Sequence, residues 1–227
     1  DVLSQIIHGT RLTVGLALSA TLVRLLIGVG LGGIAGWKQS RLSQQILSIA
    51  AVSASIPSLL FSYIVIVSIG PQEGFGVFVL ALGFTGWAEL TNLVNGAVSW
   101  IRAQQYLEGA MTLGSTPAHI IRRHVFPNLA PQLLPSFALE LSAAMLVLAE
   151  LGFLGIVFGE QAPKSIPQSL RVVHAAEWGG MLSGTRLMLF NKPWLPVFPA
   201  MAFFVAILGF NLFGVGLRGW LDKFRTS

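Results

Sequence analysis

Five long apolar runs constrain this chain more than any other feature of its sequence. They cover approximately residues 12–37, 46–69, 75–97, 129–158 and 195–217. A helix needs about 20 apolar residues to cross a hydrocarbon layer of ~30 Å, and each run is long enough. The runs lack the alternation of a transmembrane β-barrel, and a helix satisfies its own backbone in lipid. The sequence therefore predicts a single all-α integral membrane domain over residues 1–227, with about five transmembrane helices.

The composition excludes the common soluble classes. Only 10% of residues are charged and 54% are hydrophobic, with a mean hydropathy of +0.74, whereas soluble domains carry about 25% charged residues. The chain has no cysteine, which excludes a disulfide scaffold and a thiolate metal site. The net charge of +5 is typical of basic cytoplasmic loops rather than of a nucleic-acid partner, because the cations are dispersed.

Lysine and arginine predict the orientation. Cations follow the first, third and fifth runs, and five spans place these three segments on one side of the membrane. That side is cytoplasmic by the positive-inside rule, so the C-terminus is cytoplasmic. The cations concerned are Lys38 and Arg41, then Arg102, Arg122 and Arg123, and finally Arg218, Lys223 and Arg225. Residues 159–193 then form an external loop, although this loop also holds Lys164, Arg171, Arg186 and Lys192.

Small residues and prolines predict how the helices pack and bend. Gly28, Gly32 and Gly36 recur at every fourth position, which allows close approach of another helix. Pro57 is expected to kink the second span, with neighbouring serine hydroxyls satisfying the freed carbonyls. Residues 1–11 are expected to form a short amphipathic helix at the membrane surface. Because Asp1 is not an initiator residue, an upstream segment with a further span is also expected.

Several motifs match known site patterns but are interpreted as having no ligand-binding or catalytic role. The spacing G-x-G-x-x-G occurs at Gly28, Gly30 and Gly33, and again at Gly214, Gly216 and Gly219. A dinucleotide site needs a preceding strand, so these are interpreted as packing glycines. No G-x-x-x-x-G-K-[ST] or H-E-x-x-H sequence is present. His119 and His124 stand five apart and are interpreted as surface residues. We therefore expect no catalytic site, no metal and no cofactor bound by this chain.

The most informative segment is the cytoplasmic connection 100–127. Its first part carries apolar or small residues at helical spacing: Leu107, Ala110, Met111 and Gly114. Gly114 can end this helix, Ser115 or Thr116 can cap a second one with Pro117 in its first turn, and Pro127 is expected to end it. Such an elbow suits the groove of a partner protein.

These residues resemble the EAA loop of ABC-importer permeases, whose pattern is E-A-A-x3-G-x9-I-x-L-P. Here Glu108-Gly109-Ala110 is followed after three residues by Gly114, and after nine more by His124-Val125-Phe126-Pro127. Gly109, His124 and Phe126 depart from the pattern. Histidine at the place of His124 is common in the dipeptide/oligopeptide/nickel permease subfamily.

The resemblance extends over nearly the whole chain. Residues 9–16 resemble the start of the permease core, and residues 150–155 resemble the end of its penultimate span. The C-terminal part resembles the C-type subunit of this subfamily, and members usually have one span before this region. The C-terminal matches are Trp178-Gly179, Met181-Leu182, Pro193-Trp194, Pro199, Phe210-Asn211-Leu212, Gly214, Leu217, Arg218 and Asp222.

The resemblance implies a non-catalytic permease subunit of an ATP-driven type I importer in a bacterial or archaeal plasma membrane. It implies a second permease, expected to be a non-identical sister, which completes the path for peptides or similar solutes. It also implies two cytoplasmic ATPase subunits that bind ATP and Mg, and an external solute-binding protein. The residues expected to couple to an ATPase are Leu107, Glu108, Gly109, Ala110, Met111, Gly114, Ile120, Arg122, Arg123 and Pro127.

Some roles stay open. Arg24, Glu89, Glu140 and Glu150 lie in or near spans, where charges are costly, so they line the path, form buried pairs or contact another subunit. Arg122 and Arg123 pair with acidic groups or lipid phosphates, or only enforce orientation. The external loop, with Trp178, meets a binding protein or packs over the outer gate. The alternative function is a stand-alone secondary transporter or channel. A membrane-embedded enzyme would need a residue cluster that is not visible.

Overall fold

The computed structural model describes residues 2–105, 107, 109, 115–158 and 177–225, most of which are helical, with no strand among them. The helices are α1 (Val2–Lys38), α2 (Arg41–Ala54), α3 (Ser58–Ile69), α4 (Phe75–Gly83), α5 (Trp87–Arg102), α6 (Pro117–Ile120), α7 (Phe126–Leu154), α8 (Trp178–Thr185) and α9 (Trp194–Arg225). A π-helical segment, Ile121–Val125, joins α6 to α7. Short 3-10 turns occupy Pro71–Glu73 and Arg186–Met188.

Three helical segments are long and apolar enough to cross a membrane, namely Val2–Lys38, Ile121–Leu154 and Trp194–Leu221. Two further spans result if α2 with α3 and α4 with α5 each form one interrupted span. The predicted all-α membrane fold with about five spans is therefore confirmed.

The separate surface helix expected for residues 1–11 is wrong. Helix α1 begins at Val2 and runs without interruption to Lys38. No proline lies between these residues, and two polar side chains near the start, His8 and Thr10, bond back to the helix itself. For example, the Thr10 hydroxyl donates to the Ile6 carbonyl at 2.9 Å.

The second and third spans are both interrupted. The predicted kink at Pro57 is confirmed as a full break between Ala54 and Ser58, and the Ser55 hydroxyl donates to the Ala51 carbonyl at 2.9 Å. The prediction of one continuous helix over 75–97 is wrong, because α4 ends at Gly83 and α5 starts at Trp87. Gly86 has a φ of 71° there, a conformation open to glycine because it has no Cβ.

Pro127 does not end a helix, contrary to expectation. It is the second residue of α7, which continues to Leu154 with Pro131 and Pro135 inside it. Proline is tolerated in the first turn of a helix, where its missing N–H is not needed. The preceding turn is π-helical, and the Phe126 N–H donates to the Ile121 carbonyl five residues earlier.

The described residues group into two compact units. Unit 1 comprises Asp1–Val23, Ile56–Thr85 and Leu139–Asn211. Its core contains Leu16, Ile66, Phe78, Met145 and Phe203, all at most 2% exposed. Helix α7 ends in this unit with a Schellman motif, because Gly155 has a φ of 90° and the Ile156 N–H donates to the Leu151 carbonyl at 2.9 Å.

Unit 2 comprises Arg24–Ser55, Gly86–Ala138 and Leu212–Ser227. In it, the predicted packing of Gly28, Gly32 and Gly36 is confirmed. A Cβ added at any of the three would lie 2.4–2.8 Å from atoms of α5. The packing interpretation is wrong for Gly30, Gly33, Gly216 and Gly219, where an added Cβ meets nothing within 4 Å.

Candidate functional site: the cytoplasmic elbow and the membrane-buried charges

The second helix of the elbow starts as predicted. Helix α6 begins at Pro117, and the Thr116 hydroxyl oxygen accepts from the His119 N–H at 3.4 Å. Because a threonine oxygen satisfies a free N–H of the first turn, Thr116 is the N-cap residue. Glu108, Ala110, Met111 and Gly114 lie outside the described residues, so the corner at Gly114 stays a prediction.

Two residues expected to contact an ATPase are instead buried within the chain. Leu107 is 0% exposed and Ile120 is 1% exposed. They join a cluster of unit 2 that includes Val94 and Ile101 of α5 and also Val125. Leu107 and Ile120 therefore pack against α5 within the chain, and contact of either side chain with a partner stays a prediction.

The outer side of the same segment carries a different set of residues. We call the exposed side chains His119, Ile121, Arg122, Arg123 and Phe126 the coupling face. Ile121 is 42% exposed and Phe126 is 58% exposed. These two lie one π-turn apart, so apolar area and two guanidinium groups stand together on the surface. Pro127 is also exposed. Ile121 and Phe126 were not singled out from the sequence, although their i, i+5 spacing matches a π-turn.

Gly109 departs from the alanine of the resembled pattern, and the structure accommodates either residue. Gly109 is helical, and a Cβ added there meets nothing within 4 Å. Since alanine favours a helix over glycine by about 1 kcal/mol, this departure weakens the helix slightly without changing its packing.

The entrance to the elbow is anchored to the end of α1. The Arg102 guanidinium donates to the Trp37 carbonyl, and its carbon lies 5.8 Å from the Trp37 ring centroid. The Ser99 hydroxyl donates to the Gly36 carbonyl at 3.4 Å. Arg102 therefore holds the C-terminal ends of α1 and α5 together, directly before the elbow.

The four ionisable residues of the spans differ in burial. Arg24 is 2% exposed and Glu140 is 8% exposed, and each has an interaction partner. Glu89 is exposed and Glu150 is half-buried. A charge at membrane depth that is enclosed and partnered fits a structural role, which favours that role for Arg24 and Glu140.

The described part of the predicted external loop, residues 177–193, is a packed element of unit 1. Trp178 is 5% exposed, so it does not form a surface for a binding protein. Its backbone N–H donates to the Thr13 hydroxyl oxygen at 3.0 Å, and its indole N–H donates to the Ile6 carbonyl at 2.8 Å. Its ring lies edge-on to Phe203 at 5.3 Å. Residues 159–176 lie outside the described residues.

Glu177 caps this element. Its carboxylate accepts from the Gly179 N–H at 3.2 Å and from the Gly180 N–H at 3.0 Å. Burial raises the pKa of Glu177 above its ordinary value, while these hydrogen bonds act in the opposite direction. The close approach of Gly152 to Gly179, where an added Cβ would lie 2.5 Å from Cα, places α8 against α7.

Two polar contacts were missed from the sequence. The Asn211 amide donates to the Ser142 hydroxyl oxygen at 3.0 Å, joining α9 to α7. The Arg186 guanidinium donates to the Phe153 carbonyl at 2.7 Å, at the end of α7. A single asparagine inside an apolar run could have signalled the first contact, because polar groups in lipid need a partner.

Comparison with known proteins identifies the family. Residues 28–226 match the family described as "Binding-protein-dependent transport system inner membrane component". The chain belongs to this family. It is thus a multi-pass membrane permease component, as its resemblance to ABC-importer permeases implied.

Curated relatives match almost the whole chain. It is 32% identical to the dipeptide transport system permease protein DppC of Bacillus subtilis over 98% of its length, which is 65% of that relative. It is 30% identical to the oligopeptide transport system permease protein OppC of the same organism, over 98% of this chain and 68% of that one. The glutathione transport system permease protein GsiD of Pectobacterium atrosepticum is 29% identical, over 98% and 69%. The chain therefore spans about two thirds of the length of these relatives.

The fold is also found among solved structures. A chain of the MetNI methionine ABC transporter in an inward-facing conformation aligns with a TM-score of 0.72 and 14% identity, covering 96% of each chain. A second crystal form of the same transporter gives a TM-score of 0.63. This likeness supports the fold of a type I importer permease.

Proposed function

We propose that this chain is the permease subunit of an ATP-driven importer for peptides or similar solutes, forming half of the translocation path beside a non-identical sister permease. The observation that carries the proposal is the match over 98% of the chain to the two Bacillus permeases, which are named for dipeptide and oligopeptide transport. The small residues on α1 and the interrupted spans suit a membrane bundle that changes conformation.

The energy comes from partner subunits in this proposal. Two cytoplasmic ATPase subunits bind ATP and Mg, an external binding protein delivers the solute, and the chain itself holds no cofactor and performs no catalysis. Nucleotide-driven closure of the ATPases then tilts the permease helices between inward-facing and outward-facing states, by rigid-body switching.

The coupling face supports the proposal that the permease receives its energy from ATPase subunits. Ile121 and Phe126 expose apolar area beside Arg122 and Arg123, a combination that suits a groove with apolar walls and acidic groups. The buried residues Leu107 and Ile120 hold the same segment against α5. A push on the face would therefore pass into α5, and through Arg102 into the end of α1.

Substitution at the corner tests the proposal. The importer is reconstituted with its ATPases, and peptide uptake and ATP hydrolysis are measured for Gly114→Pro and for Gly109→Ala. Proline at 114 is expected to abolish uptake and the stimulation of hydrolysis by loaded binding protein, because proline cannot take the left-handed conformation of a corner. Membrane insertion should survive. Gly109→Ala is the matched control and should leave uptake unchanged, because the resembled pattern has alanine at this place and the added Cβ meets nothing within 4 Å of this chain.

Normal coupling in Gly114→Pro would contradict the proposed elbow. Uptake by the purified chain without ATPases would favour the alternative, a stand-alone secondary transporter or channel.

A further inference from the structure

Three cations gather where α1 ends, α2 begins and α5 ends. We call Lys38, Arg41 and Arg102 the basic corner. Lys38 is the last residue of α1, and Arg41 is the first residue of α2. Arg102 is the last residue of α5 and donates to the carbonyl of Trp37, the residue bonded to Lys38. All three belong to unit 2, so their grouping follows from contacts inside one compact unit.

The backbone keeps two of these cations at a tight turn. Gln39 has a φ of 46°, a left-handed conformation that reverses the chain directly after α1. The Ser40 N–H donates to the Ser43 hydroxyl oxygen at 3.1 Å, and the Gln44 N–H donates to the Ser40 carbonyl at 3.1 Å. Lys38 and Arg41 flank this turn, and both side chains are exposed.

The residues around the basic corner are of the types found at a membrane interface. Trp37 lies under the Arg102 guanidinium, and Trp100, two residues before Arg102, is 57% exposed. Tryptophan beside lysine or arginine at the ends of apolar helices is typical of the headgroup level of a bilayer. Helix α1 is long and apolar enough to cross a membrane, and the two tryptophans indicate that its C-terminal end lies near the headgroup level.

Acidic residues are sparse on the described helices that form the corner, and Glu108, six residues after Arg102, lies outside the described residues. No aspartate or glutamate occurs between residues 2 and 72, and the acidic residue nearest to Arg102 on α5 is Glu89, more than three turns away. Arg102 uses one of its five N–H donors on the Trp37 carbonyl. Lys38 and Arg41 are exposed, so their ammonium and guanidinium groups are accessible to an anion.

We propose that the basic corner binds the phosphate headgroup of an anionic phospholipid, with the acyl chains lying along the apolar surface beside Trp100. A phosphodiester accepts hydrogen bonds from the guanidinium and ammonium groups, while Trp37 and Trp100 contact the glycerol and upper acyl region. The proposal concerns the membrane-spanning fold and does not depend on the transported solute.

The test measures lipid retained by the full-length protein in a neutral detergent. Native mass spectrometry counts dioleoyl-phosphatidylglycerol bound to the wild type, to Lys38→Gln/Arg41→Gln and to the charge-preserving Lys38→Arg/Arg41→Lys. Arg11→Gln/Lys192→Gln is the matched control, because it removes two exposed cations from unit 1. Dioleoyl-phosphatidylcholine and inorganic phosphate are added in parallel at the same concentration.

We expect the wild type, the charge-preserving variant and the matched control to bind phosphatidylglycerol alike. The Lys38→Gln/Arg41→Gln variant should bind it about 25-fold more weakly, since each cation near an anionic surface contributes about fivefold. Equal binding of phosphatidylcholine, an undiminished affinity in Lys38→Gln/Arg41→Gln, or an equal loss in the matched control would each overturn the proposal. If inorganic phosphate alone displaces the phosphatidylglycerol, the ligand is a soluble anion, and the proposal of a membrane lipid is wrong.

Discussion

Three glycines on one side of α1 let α5 approach that helix closely. The spacing of Gly28, Gly32 and Gly36 predicted a packing face, and the structure places α5 on that face. The same reasoning failed for Gly30 and Gly33, because a fingerprint in the sequence does not tell which side of a helix has a neighbour. Leu107 and Ile120 raise a related difficulty, because both are buried within the chain. An apolar stripe looks the same whether it packs inside the chain or against a partner.

The glycine face gives a paired prediction at the residue scale. In Gly32→Ala the new Cβ would lie 2.6 Å from the Thr91 carbonyl oxygen, so α1 and α5 must separate, and we expect a loss of about 1–3 kcal/mol. In Gly30→Ala the Cβ meets nothing, and better helix propensity should leave stability equal or higher. Thermal unfolding in detergent compares the two variants. Equal melting temperatures would contradict the close packing.

Glu177 gives a prediction about pH. The folded protein holds its proton more tightly than the unfolded chain, because burial raises the pKa above 4.5. The unfolded state therefore releases this proton first, and stability falls as pH rises from about 4.5 through the folded pKa. Glu177→Gln should remove this part of the pH dependence of the melting temperature. Glu89→Gln, at an exposed position, should retain it, and an identical pH profile in Glu177→Gln and the wild type would refute the assignment.

At the scale of elements, the lengths of the apolar spans were predictable from the sequence. The positions at which the second and third spans are interrupted were predictable only in part. Pro57 signals its break because proline lacks an N–H and clashes with the preceding turn. Gly86 gives no such signal in the sequence, because most glycines of this chain lie inside helices. The break becomes visible only in the structure, where Gly86 has a positive φ. The π-helical turn before Phe126 was also beyond sequence reasoning. Its pattern of apolar residues fits an α-helix as well.

Helix α8 allows a prediction about how one small element holds unit 1 together. Trp178→Ala removes a buried ring and its contacts with Phe203, so we expect a loss of about 3–5 kcal/mol. Trp178→Phe keeps an aromatic ring and loses the hydrogen bond to the Ile6 carbonyl, at a cost of about 1 kcal/mol. Trp194→Ala, at a position that is 55% exposed, is the control with little effect. Melting temperatures should follow this order, and a mild effect of Trp178→Ala would contradict the anchoring role.

For the whole molecule, the fold class and family followed from the spacing of apolar runs and from one loop motif, and both are confirmed. Which side of the described elbow segment packs against α5 did not follow, because it is a property of three-dimensional packing. The surface that meets a partner, the corner at Gly114 and the roles of Arg24, Glu89, Glu140 and Glu150 stay predictions.

The orientation of the chain is testable because it contains no cysteine, so single cysteines can be introduced without removing native ones. A membrane-impermeant maleimide should label Lys192→Cys in intact cells and Ser40→Cys only in inside-out vesicles, because the cations after α1 are retained on the cytoplasmic side. Both positions are exposed. Labelling of Ser40→Cys from outside would reverse the proposed topology and place the elbow on the wrong side for an ATPase.

The contact between Arg186 and the end of α7 affects how much each cation of this chain should count in a prediction of its membrane topology. Four cations between residues 159 and 193 oppose the positive-inside rule. One of them, Arg186, lies against the partial negative charge of a helix C-terminus. If the predicted orientation holds, local architecture explains an arginine in this loop, so a topology calculation that counts every arginine equally overstates the opposition to its export.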